Sequence, residues 1–133
     1  DLSGANLSHA NLYRADLMGA NLRGANLYRA SLRFANLGPA TIWRPGSTDS
    51  GRMWSVNLEN ANLSFADLSE ANLKEANLKA ADLTGTDLTK ADIEEVLIEN
   101  SKIKDTVTST GLAQSPDDIL QAHKQPKPNG DKA

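Results

Sequence analysis

The stretch ADLSEANLKEANLKAADLTG, residues 66–85, places a leucine at every fifth position. An α-helix repeats its faces every 3.6 residues and a strand every 2, so a period of five fits neither. A short fixed period instead predicts a solenoid, in which the chain turns a corner every five residues. In the first block the large apolar residue, position i, is Leu2, Leu7, Leu12, Leu17, Leu22, Leu27, Leu32, Leu37 and Ile42. In the second it is Leu58, Leu63, Leu68, Leu73, Leu78, Leu83, Leu88, Ile93, Ile98 and Ile103. A small residue lies two positions earlier, as at Ala10, Ala15, Ala20, Ala66, Ala71 and Ala76. One large and one small apolar site per five residues can line only a narrow core. Each coil alone buries too little, so stacking must build the interior. Asn or Asp usually separates the two and is expected at the corners, where its side chain bonds the main chain.

The blocks differ in phase by one residue. GRMWS (51–55) fits the second phase, with Met53 at position i and Gly51 at the small site, which leaves PGSTDS (45–50) as an extruded loop or a bulged repeat. After residue 105 the period fails. SPDDILQAH (115–123) reads as a helix start, with Ser115 as N-cap, Pro116 behind it and two aspartates in the first turn. Ile119, Leu120 and Leu112 are expected to cover the open end of the last coil. Residues 124–133 read as a disordered tail.

The units ANLSHANLYRADLMGANLRGANL resemble the pentapeptide-repeat family, whose pattern is A(D/N)LXX. The resemblance covers residues 1 to about 105. It implies an all-β fold, a right-handed quadrilateral β-helix of about five coils with four repeats each. A short C-terminal helical cap over 106–123 completes this reading. Twenty residues then separate vertical neighbours. Glu59, Lys79 and Glu99 should form one column, Glu70 should meet Lys90, and Lys74 should meet Glu94, while Glu75 and Glu95 oppose like charges. In the first block Tyr13 should meet Arg33, and Arg14 should meet Phe34.

Composition narrows function. The 133 residues contain no cysteine, which excludes disulfides and thiolate chemistry. His9 and His123 have no nucleophile or metal-ligand spacing around them, so no catalytic, metal or cofactor-binding residue is assigned. No apolar run is long enough to span a membrane. The sequence opens at Asp1 inside the repeat, and compartment stays open between cytoplasm and, were a leader removed, a thylakoid lumen or periplasm.

Residues 1–44 hold five Arg and two Asp, giving +3; residues 56–105 hold eleven Asp/Glu and five Lys, giving −6. The Arg/aromatic half (Tyr13, Arg14, Arg29, Arg33, Phe34) raises nucleic-acid binding. A net charge of −3 and only five arginines spread over several faces weigh against it. Both tryptophans lie in IWRPGSTDSGRMW (42–54), so Trp43, Arg44, Arg52 and Trp54 are the candidate partner-binding loop. The other reading is that these aromatics fold back over the wall. The sequence thus points to a non-enzymatic scaffold for a protein partner, with a dimer through the solenoid ends as a further option. The resemblance adds an alternative, a DNA mimic that binds DNA gyrase. Such mimics are acidic along the whole rod, whereas here one half is basic and the other interleaves lysines.

Overall fold

The computed structural model describes residues 1–42, 46 and 52–122. Four ladders of parallel bridges run through the molecule. One joins Asn6, Asn26, Asn62, Asp82 and Lys102; the others pass through Asn11, Asp16 and Asn21. The offset between rungs is 20 residues inside each block and 36 between the blocks, so sixteen residues are surplus to the stack. Among the described residues the result is a mostly-β solenoid with one short helix.

The hydrogen bonds of a single pentad explain its sequence. The Asn62 N–H donates to Ala25 O of the coil below at 2.9 Å. Leu63 and Phe65 donate to Asp82 O and Thr84 O of the coil above, each at 2.8 Å. Ala66 N–H closes a turn onto Leu63 O at 3.0 Å. Only the Ser64 N–H has no main-chain acceptor, and Asn62 Oδ1 accepts it at 3.0 Å. Every buried amide needs a partner, and the Asn/Asp side chain supplies the missing one. The same bond recurs at Asn11, Asp16, Asn26, Asn72, Asp82 and Asp92. This corrects the expected corner placement: Asn and Asp occupy the bridged position and brace the turn that follows. The third residue of each turn has a positive φ, as a type II turn requires, whether it is glycine (Gly24, 67°) or not (Arg14, 59°; Glu75, 61°).

Leucine and alanine point inward. Leu22, Leu27, Leu63, Leu68, Leu73, Leu78 and Leu83 are fully buried, and Ala66, Ala71 and Ala76 nearly so. Leu7, Leu12, Leu17 and Ala20 pack on this core but are half-buried, and Ala10 and Ala15 are half-buried too, because the first coil has a neighbour on one side only. Threonine at two small sites would strand a buried hydroxyl. Thr86 Oγ1 donates to Leu63 O at 2.7 Å and Thr106 Oγ1 to Leu83 O at 2.6 Å.

At the C-terminal end a tight antiparallel pair, β3 (Val107–Thr108) with β4 (Gly111–Leu112), leads into α1 (Pro116–Ala122). The labels β1 and β2 belong to a pair inside the surplus, Ala40–Ile42 and Arg52–Trp54. Ser115 caps α1: the Asp118 N–H donates to Ser115 O at 3.0 Å and to Ser115 Oγ at 3.4 Å, and the Gln114 N–H donates to Asp118 Oδ2 at 2.6 Å. Ile119 is fully buried and seals the core, with Leu120 beside it. Leu112, expected to join them, is 57% exposed instead. Successive residues along a strand alternate sides, so Ala113, next after β4, faces inward in its place. The reading of 124–133 as a disordered tail, and His123, fall outside the described residues.

Candidate interaction surfaces

β1 and β2 pair antiparallel, with Ala40 opposite Trp54, Thr41 opposite Met53 and Ile42 opposite Arg52. The excursion therefore spans more than PGSTDS, and Ile42 and Met53 belong to the hairpin rather than to the pentad ladder. Met53, expected in the core, is 54% exposed. It stands on a strand outside the stack, where Thr41 Oγ1 donates to its sulfur at 3.0 Å. The hairpin base sits on Gly19. A Cβ there would lie 2.9 Å from Ala40 Cβ and 3.3 Å from Trp54 O, so no larger residue fits without a shift. Trp54 is 48% exposed. Arg52 is placed by its backbone in β2, while Trp43 and Arg44 lie outside the described residues.

A second surface covers two adjacent ladders of the first block. The Arg14 guanidinium lies 5.3 Å from the Tyr13 ring and 5.6 Å from the Phe34 ring, so the expected Arg14–Phe34 stack is present. Arg33 stacks on its neighbour Phe34 at 4.9 Å, not on Tyr13, whose ring meets Phe34 edge-on at 5.9 Å. On the next ladder Arg29 lies 5.3 Å from Tyr28 and 6.0 Å from Phe65. Here the rings form an edge-to-face string, His9–Tyr28 at 5.6 Å and Tyr28–Phe65 at 6.0 Å. Sequence reasoning missed Phe65 because it sits across the block junction, where the offset is 36 rather than 20.

The same junction redirects the charges. Arg23 pairs with Glu59 at 3.8 Å and Arg33 with Glu70 at 2.9 Å, both between blocks. Lys74 pairs with Glu94 at 3.9 Å, as the column predicts. Among the described residues no ion pair joins Glu59 to Lys79 or Glu70 to Lys90, since the arginines of the coil below reach those carboxylates first. The Glu70 hydrogen bond raises the Arg33 pKa further above its ordinary range, partly opposed by desolvation and helped by the charge of Glu70. An open depression of about 320 Å³ lies above this pair, lined by Arg33, Asp67, Glu70, Asp87 and Lys90. Asp67 and Asp87 are committed to their turns, each accepting a main-chain N–H at 2.9 Å. Among the described residues no cluster of His or carboxylates is placed to hold a metal ion, and no helix is long and apolar enough to cross a membrane.

These features are those of a repeat scaffold, and comparison with known proteins agrees. The family pattern described as Pentapeptide repeats matches in eight copies over residues 1–38 and 56–94. The chain belongs to the pentapeptide-repeat family and is a β-helix solenoid. It is similar to a pentapeptide repeat protein of the Arabidopsis thaliana thylakoid lumen, with 27% identity and a TM-score of 0.68 over 93% of this chain and 74% of that one. It is also similar to one from Nostoc Pcc 7120, with 26% identity and a TM-score of 0.54 over 77% of this chain and 84% of that one. Comparison with curated proteins finds no match.

Proposed function

We propose that this protein is a non-enzymatic scaffold, a right-handed quadrilateral β-helix of about five coils that holds one hairpin out to a protein partner. One observation carries the reading. The bridge offset is 36 residues across the block junction against 20 on either side, a surplus of sixteen in the interval whose sequence holds both tryptophans. Binding residues concentrate on excursions from rigid frames, and Trp and Arg dominate interface energetics. The hairpin is rooted where Gly19 lets it touch the wall, and Met53 and Trp54 are half-exposed. Trp43, Arg44, Arg52 and Trp54 are the residues assigned to the partner. Residues 1–105 form the solenoid in this reading and 106–123 its cap.

Affinity capture from native extract, read by mass spectrometry, tests it. The baits are the wild type and the triple variant Trp43→Ala, Arg52→Ala, Trp54→Ala, the latter checked by circular dichroism. A partner held by wild type and lost by the variant supports the hairpin as the recognition element. Retention of the same proteins by both baits contradicts it. The gyrase-binding alternative needs a continuous acidic stripe. The Arg23–Glu59, Arg33–Glu70 and Lys74–Glu94 pairs interrupt such a stripe and favour the scaffold reading.

A further inference from the structure

The Arg/aromatic surface is built on the Asn6 and Asn11 ladders, whereas the described hairpin base sits on Gly19, and it has its own chemistry. Arg14 and Arg29 both sit at the positive-φ corner of a turn, φ 59° and 55°. Glycine holds that same corner at Gly4, Gly24 and Gly85 without steric cost, so arginine there is strained and carries its side chain outward. Each guanidinium rests between two rings, Tyr13 with Phe34 and Tyr28 with Phe65. The rings are in turn locked edge-to-face. Stacking leaves the planar N–H fork as the unused part of each side chain. Arg33 hydrogen-bonds Glu70 and Arg23 faces Glu59 at ion-pair distance, but Arg14 and Arg29 take no carboxylate among the described residues. Both are exposed.

The repeats that supply both arginines and every ring but Phe65, ANLSHANLYR (5–14) and ANLYRASLRF (25–34), contain no Asp or Glu. The geometry points to a docking surface for a short acidic peptide segment of a protein partner, two of whose carboxylates are taken by the Arg14 and Arg29 forks. Half-exposed Tyr13, Phe34 and Phe65 flank the forks with apolar edge. Footprint favours carboxylates over a nucleic-acid strand. The unpaired cations stand on adjacent coils, about 5 Å apart along the axis. A polyanion running further would meet Asp67, Glu70 and Asp87 of the next coils. The ring faces that bases would need are already covered by guanidinium.

The test is fluorescence anisotropy at low salt with a short labelled peptide alternating Glu and Leu. Its Gln–Leu counterpart and labelled oligothymidylate serve as comparisons. Wild type should bind the Glu peptide most tightly, and added salt should weaken it. The double variant Arg14→Gly, Arg29→Gly removes both forks and relaxes both corners. It should melt no lower than wild type yet lose affinity by about tenfold or more, the scale of charge-assisted hydrogen bonds. Arg14→Lys with Arg29→Lys keeps the charge and should still bind several-fold weaker. Arg23→Gln should change binding little. The triple hairpin variant should bind as wild type, which separates this surface from the hairpin. Equal binding of the Glu and Gln peptides, no binding of either, or an unaffected glycine variant would overturn the proposal. Tighter binding of oligothymidylate would overturn it in favour of a nucleic-acid face.

Discussion

Two blocks of the same solenoid carry the same interior and different exteriors. Residues 1–38 and 56–94 match one family pattern, and both point Leu and Ala inward. Outside, the first block shows arginine stacked on aromatic rings, and the second shows carboxylates with lysine. Where they meet, the arginines of one reach the glutamates of the other. The pentad thus separates two tasks. Position i, the small site and the bridged Asn/Asp specify the coil. The two turn residues are free to vary, and they carry whatever distinguishes one face from another.

The largest expected effect breaks the shared interior. Leu73→Arg places an unpaired charge at a fully buried site and should cost at least about 4 kcal/mol, read as loss of the folded signal. Leu7→Arg tests the same position at the half-buried end and should cost less than half as much, because the charge can reach water. Next comes a matched pair of glycines at positive φ. Gly24→Ala has open space around the new Cβ and should cost about 1 kcal/mol of backbone strain. Gly85→Ala meets the Phe65 ring at 2.6 Å and should cost about 1 kcal/mol more, because the ring must swing away from Tyr28 to make room. Thr86→Val, which removes a buried hydrogen bond at nearly constant volume, should cost about 1 kcal/mol in chemical denaturation. Glu70→Gln should have the smallest effect, erased by added salt, since its partner Arg33 is exposed.

The inward residues were legible because a period of five forces them; that Asn and Asp bond the main chain was legible too, but their bridged position was not. Charge and ring stacking were legible only in part inside a block: Lys74–Glu94 and Arg14–Phe34 are present, whereas Arg33 stacks on Phe34 rather than Tyr13 and Glu70 pairs with Arg33 rather than Lys90. What crossed the junction was not. A phase slip of one residue fixes the surplus only modulo five, so six residues and sixteen look alike in sequence. That ambiguity put Met53 in the core. It also hid the Arg33–Glu70 pair and the Tyr28–Phe65 stack. Leu112 was misread for a local reason: the register of β3 with β4 puts it on the outward side and gives the inward one to Ala113.

Deleting residues 39–54 tests the account most directly. It joins Gly38 to Ser55 and leaves ANLGS followed by VNLEN, an unbroken pentad register. The measurement is the thermal melt of this deletion variant beside wild type, followed by circular dichroism. If the hairpin is exported from a continuous stack, the variant folds with the same β signal and melts at or above the wild-type temperature. A variant that fails to fold, or melts well below wild type, would mean that those sixteen residues help hold the two blocks together and would contradict the account.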